Sequence, residues 1–191
     1  MKRILLLISL LVCVFLTNAQ TGDAGKAMQL VTKNYEAIGL SQDQLPNLKL
    51  SSTYYNEPSG SQMVYLIQTY KNLPVYNQML VLAFKADKLV SNAGSLLTEM
   101  EKKTNFQSAT AVLTPTNAIR AAFTEAKLAM PATLPLLNTL ENGRRLDYGV
   151  VAGVSENVIT ELMWLPIEKG NQKTVKLIWD VQVVPAGKPS H

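Results

Sequence analysis

MVYLIQTYKNLPVYNQMLVLAF, residues 63–84, consists of two apolar runs with a break between them. Met63–Tyr70 is rich in β-branched and aromatic residues, the composition of a strand. Lys71–Pro74 interrupts it, and Val75–Phe84 forms the second run. Asn72 and Pro74 punctuate the break for different reasons, since asparagine tolerates the left-handed region and proline presets its own φ. The stretch is expected to be a hairpin of two antiparallel strands. The open question is whether its tip is only a turn or also touches a partner.

The alternation in the second run is unusual. With a period of two, Val75, Asn77, Met79, Val81 and Ala83 share one face, and Tyr76, Gln78, Leu80, Leu82 and Phe84 share the other. Both faces are mostly apolar, whereas a sheet with one wet face alternates more cleanly. One face can be covered by a helix of this chain; the other needs a second element or another protein. Met79, Leu80, Val81 and Leu82 are therefore the candidate partner-contact residues, and only one pair of them can face the helix.

The flanks extend this pattern. Residues 23–38 carry Ala27, Leu30, Val31, Tyr35 and Ile38 at helical spacing, with the polar exception Asn34 in the stripe. Asp23 is suited to the N-cap and Gly39 to the C-cap. Leu48–Tyr55 and Leu89–Leu97 are expected to be outer strands, separated from the central pair by EPSGS and KADK turns. Further on, Thr114 and Pro115 mark a helix start, followed by the stripe Ala118, Ile119, Ala122, Phe123 and Ala126. Residues 129–146, with Pro131, Pro135 and NGRR, are expected to be a loop. Ile159–Ile167 and Thr174–Val184 form a second hairpin, with Trp164 and Trp179 as core residues, one on each strand. The expected fold class is α+β: antiparallel sheets each packed with a helix, in two small units in tandem.

Composition excludes whole classes of function. Of 191 residues, 47% are hydrophobic and 17% charged, enough apolar material for a core. MKR followed by Ile4–Leu16 and TNA has the layout of a secretory leader, with cleavage expected between Ala19 and Gln20. Loss of Lys2 and Arg3 with that leader lowers the formal charge from +4 to +2, and the remaining basic residues are scattered. That is no nucleic-acid footprint. After cleavage no membrane segment is expected.

The single cysteine, Cys13, leaves with the leader, and the single histidine is His191 at the end of the chain. A zinc site needs three or four ligands, usually His or Cys, and a Ser-His-Asp arrangement needs a histidine held within the fold. No HExxH and no glycine-rich phosphate loop is present. Glu99, Glu101 and Glu125 are the carboxylates that could pair for acid–base work, and solvated surface acids are the simpler reading. The chain is expected to be no enzyme, to hold no cofactor, and to act by binding.

The stretch SSTYYNEPSGSQMVYLIQTYKNLPVYNQMLVLAF resembles the fungalysin/thermolysin propeptide domain, whose members carry a strand ending in Gln-Thr-Tyr, an Asn-Gly-Ile-Pro-Val turn, then Tyr and a second strand. Here the matching positions are Gln68, Thr69 and Tyr70, then Asn72, Leu73, Pro74, Val75 and Tyr76, with Leu73 directly after Asn72 in place of a glycine. LTPTNAIRAAFTEAK, with LMWLPI and LIWDVQVV, resembles the PepSY-like second half of such pro-regions. The resemblance spans residues 22–189. It implies a leader over 1–19, a propeptide-like domain over 20–107 and a PepSY-like unit over 108–191.

The resemblance further implies a secreted pro-region that inhibits a zinc metallopeptidase and assists its folding, with that cognate peptidase as partner in cis or in trans. In the family the strand matching Thr174–Val184 leads on into a further strand and the peptidase, so the stop at PSH implies that the second unit is truncated. The alternative is a stand-alone secreted protein-binding module with no peptidase partner. A hidden enzyme, with acid chemistry at the carboxylates above, is a third.

Overall fold

The computed structural model describes residues 23–104, 110–170 and 172–187. The expected leader with Cys13, its cleavage point and His191 lie outside the described residues. The chain is mixed α and β, with eight strands and a few short helices. It divides into two compact units. The first holds the residues up to Thr69 together with Asn77–Leu97, and the second holds Tyr70–Tyr76 and everything from Thr98 onward. The tip of the central hairpin is thus grouped with the second unit, an interleaving in sequence rather than a simple tandem.

In the first unit, helix α1 (residues 23–33) and the short helix α2 (Tyr35–Ile38) flank a break at Asn34. Ala27, Leu30, Val31 and Ile38 are buried, as the helical spacing requires. Asn34 earns its place in the stripe with hydrogen bonds. Its side-chain amide donates to the Leu30 carbonyl (2.8 Å) and to the Asp87 carbonyl (3.0 Å). Gly39 ends α2 at φ 86°, and the Leu40 amide returns to the Tyr35 carbonyl at 2.9 Å, closing the helix in the manner of a Schellman motif.

Four strands follow: β1 (Leu48–Asn56), β2 (Ser61–Tyr70), β3 (Leu73–Lys85) and β4 (Lys88–Gly94). β1 is antiparallel to β2, and β4 to β3. Leu48, Val64, Leu66, Leu80, Leu82 and Phe84 point to the helices and form one core with them. Each such side chain contributes about 1.5–3 kcal/mol by leaving water.

Two features of β3 differ from strict alternation. The break between β2 and β3 is only two residues, Lys71 and Asn72, both at positive φ (49° and 62°), so Leu73 and Pro74 belong to the strand and are buried. A two-residue turn of this primed kind matches the right-handed twist of the strands. In addition, Asn77 sits at φ 54° inside the strand. Beside the small Pro74 and Ala83, the large buried side chains are Leu73 and Val75 before it and Leu80, Leu82 and Phe84 after it, so the large buried set passes from odd to even positions. One residue in the left-handed region acts as a bulge, and one extra residue reverses every later side chain. The two faces assigned by simple alternation across Val75–Phe84 are corrected accordingly.

The first unit is closed by Gln68, which is buried at the end of β2. Its amide donates to the Leu97 carbonyl (2.7 Å) and its side-chain oxygen accepts from the Leu97 amide (2.8 Å). The side chain imitates a neighbouring strand for one residue.

In the second unit, helix α3 (Met100–Lys103) precedes helix α4 (Pro115–Glu125), where the Thr114 hydroxyl accepts from the Asn117 amide at 3.3 Å. Ile119 and Phe123 of α4 are fully buried against Leu146, Tyr148, Val154 and Val158. Strands β5 (Asn138–Leu140), β6 (Arg145–Asp147), β7 (Ile159–Lys169) and β8 (Gln172–Gln182) pair antiparallel in that order. β5 lies inside the stretch expected to be a loop. The pairing of Val75 with Trp164 is parallel, as is the bridge of Thr104 to Val175, which departs from the purely antiparallel expectation.

Trp164 is fully buried, its indole N–H donates to the Tyr70 carbonyl (2.8 Å), and its ring lies 5.5 Å from that of Tyr70. Trp179 is half-buried and donates to the Leu113 carbonyl (2.9 Å).

Replacing Gln68 by Ala leaves both Leu97 backbone groups without their partner and is expected to cost about 1–3 kcal/mol in urea unfolding. Gln68→Glu sets a carboxylate against the Leu97 carbonyl. Its folded pKa is then raised above the unfolded value of about 4.3, so the destabilisation is present at neutral pH and shrinks as pH falls through the folded value. At Asn77, Val is expected to destabilise by about 1–2 kcal/mol because a β-branched residue resists the left-handed region. Asn77→Gly is expected to be neutral or mildly stabilising.

Candidate functional site

The charged side chains organise structure. Glu99 is ion-paired with Lys102, whose ammonium hydrogen bond holds its carboxyl below the ordinary range. A catalytic acid needs a shift in the opposite direction. Glu101 and Glu125 are exposed. Among the described residues no group of three or more His, Cys, Asp or Glu side chains stands close enough to hold a metal ion.

Asp147 is also held below the ordinary carboxylate range, chiefly by the Gly149 amide (2.8 Å) and further by the side chains of Asn138 (3.3 Å) and Asn157 (3.2 Å). It ties the end of β6 to β5 and to the loop before β7. Next to it, Arg145 lies 3.3 Å from Glu161 Oε2. Arg144 Nε lies 3.5 Å from Glu161 Oε1, an ion-pair contact too poorly aligned to be a hydrogen bond. Arg144 also pairs with Glu141 and donates to the Asn72 carbonyl at 3.4 Å.

The strongest candidate for function is the sheet face of the first unit that points away from α1 and α2. On β2 it carries Met63, Tyr65 and Ile67, placed there because Val64 and Leu66 alternate inward, and on β1 Tyr54, opposite Met63, which the register shift after Leu50 turns to that face. The rings of Tyr54 and Tyr65 stack at 6.0 Å and 23°, with their hydroxyls 3.4 Å apart. That hydrogen bond raises the Tyr65 phenol above its usual pKa. Such a diagonal pair is within reach across neighbouring strands.

On β3 the four expected contact residues divide by face. Leu80 and Leu82 are core residues of the first unit. Met79 (36% exposed) and Val81 (half-buried) face outward. At the end of β4, Gly94 lies opposite Leu80, and any Cβ there would come within 2.1 Å of the Met79 carbonyl. Only glycine lets β4 approach this closely. β1–β4 contain no Asp or Glu at all, so this face is aromatic, thioether and aliphatic, without a carboxylate. Tyr54 and Tyr65 were not anticipated as part of it. The shift of register between Leu50 and Ser52 decides which way they point, and it leaves no mark in composition.

Residues 46–96 match the Fungalysin/Thermolysin Propeptide Motif. The match spans all of β1–β4 and the central hairpin. Comparison with curated proteins gave no match. Within this propeptide motif the Gln-Thr-Tyr signature has a structural meaning. Gln68 clamps Leu97, and Tyr70 receives the indole of Trp164. Asn72 takes the left-handed turn position that Leu73 could adopt only at a cost.

The second unit has a concavity of its own, a cavity of about 500 Å³ between α4 and β8, lined by Ala118, Ala122, Trp179, Val181 and the exposed Val112 and Leu113. No helix among the described residues is long and apolar enough to cross a membrane.

Asp147 gives a test by pH. Its folded carboxyl titrates below the unfolded value of about 3.9, so its stabilisation is complete above that pH and is lost as pH falls through the folded value. Asp147→Asn is expected to lower the melting temperature at neutral pH, and the gap to the parent chain closes in strong acid.

Proposed function

We propose that the chain is the pro-region of a secreted zinc metallopeptidase of the fungalysin/thermolysin type, which it inhibits and helps to fold. The match of residues 46–96 to the propeptide motif, over the whole four-stranded sheet, carries this reading. The leader-like N-terminal sequence supports export from the cytoplasm, and the helix and strand signals after Thr114 support a PepSY-like second half.

The outward face of the first unit is the contact surface in this proposal. A rigid aromatic and aliphatic sheet face gains affinity by burying area, and stacked tyrosines lose little side-chain entropy on doing so. Met79 and Val81 lie on it, whereas Leu80 and Leu82 support it from below. The peptidase can lie on the same polypeptide or on another.

The chain, added to a fungalysin-type peptidase from the same organism, is expected to inhibit it and to raise its refolding yield. Met79→Glu and Val81→Glu are each expected to weaken inhibition about tenfold or more, as for central interface residues, with the circular dichroism of the chain unchanged. Leu82→Glu is expected to unfold the first unit. Neither binding nor an effect on refolding would leave a stand-alone binding module as the better description.

A further inference from the structure

The turn between β5 and β6 runs from Glu141 to Arg144, and its first three residues, Glu141, Asn142 and Gly143, are all at positive φ (50°, 57° and 84°). Asn142 is the only asparagine of the chain that is followed by glycine. Asn142 and Gly143 are exposed, and the Asn142 carboxamide has no hydrogen-bond partner among the described residues. A Cβ placed on Gly143 would meet nothing within 4 Å, so its amide is approached freely from that side. The Arg144 amide donates to the Glu141 carbonyl across the turn at 3.3 Å. The paired strand behind it, β5, has three residues.

We propose that Asn142 is a site of spontaneous deamidation, which gives the second unit a second, more acidic form with time. The Gly143 amide nitrogen loses its proton to base and attacks Cγ of Asn142. A C–N bond forms, ammonia leaves, and a five-membered cyclic imide results. Water then opens the imide at either carbonyl, giving aspartate or isoaspartate. The balance is one water consumed and one ammonia released. In the folded turn, φ 57° and ψ 41° at Asn142 do not hold Cγ over the Gly143 nitrogen, so the reaction proceeds through the opened turn. The turn is exposed and the strand behind it has three residues, so that opening stays local.

The consequence falls on Arg144. This guanidinium pairs with Glu141, touches Glu161 and donates to the Asn72 carbonyl. A new carboxylate at 142 competes for it within the same turn. The isoaspartate form also lengthens the backbone by one carbon between Leu140 and Arg145, which are paired across β5 and β6.

The test is to incubate the folded chain at mildly alkaline pH and map it with trypsin, which cuts after Lys127 and Arg144. The peptide between them is expected to show the mass gain of amide-to-acid exchange at Asn142 and not at Asn138, split into two chromatographic forms, and faster at higher pH. Gly143→Ala is expected to slow the exchange several-fold. An Asn142 that stays intact in the folded chain, whether or not it converts in urea, overturns the proposal. So does an equal rate in Gly143→Ala. For the consequence, Asn142→Asp is expected to speed hydrogen exchange across β6 and β7, and unchanged exchange there overturns that part.

Discussion

β3 must satisfy two cores with one backbone. Its first residues, Leu73 and Val75, are buried on odd positions in the second unit, and Leu80, Leu82 and Phe84 are buried on even positions in the first. A strand of constant alternation cannot do both. Asn77, held at φ 54°, reverses the parity at the point where β3 passes from one unit to the other. Asparagine is the side chain that accepts this geometry best after glycine. Which residues of β3 face outward in the first sheet follows directly from this one dihedral angle.

A second constraint is polar. Gln68 and Trp164 are both deeply buried, and each spends its polar atoms on a backbone group far away in sequence: Gln68 on Leu97, Trp164 on Tyr70. Buried polar groups are tolerated only when paired, and a paired one fixes position as an apolar side chain cannot. The Gln-Thr-Tyr signature is therefore better explained by closure of the fold than by contact with a peptidase. Tyr54, Tyr65, Met79 and Val81, outside that core, are the residues on which the proposed contact draws.

Much of this was legible in the sequence, and what was not has identifiable causes. The stripe from Ala27 to Ile38, the Thr114–Pro115 helix start and the hairpin carrying both tryptophans rest on local patterns, and local patterns survive folding. Asn34, an anomaly in a stripe, proved to be a link to Asp87 that only the tertiary structure supplies. The four-residue break at Lys71–Pro74 shrank to two because proline at the edge of a turn looks the same as proline at the start of a strand. β5 was hidden among prolines, and its three residues are too few to show a period. The contact strand was half legible. Alternation identified Met79 and Val81 as one face and Leu80 and Leu82 as the other, but it had no means of choosing the outward pair. The parallel pairing of Val75 with Trp164 joins residues far apart in sequence, which no window of local sequence contains.

The distribution of aromatic residues has an optical consequence. Both tryptophans belong to the second unit, and the first holds no tryptophan, its tyrosines being Tyr35, Tyr54, Tyr55 and Tyr65. Tyr70 lies close enough to Trp164 to pass its excitation on. Fluorescence excited at the red edge, where only tryptophan absorbs, therefore reports on the second unit alone. The chain carries a spectroscopic label for that half of its architecture without any dye being attached.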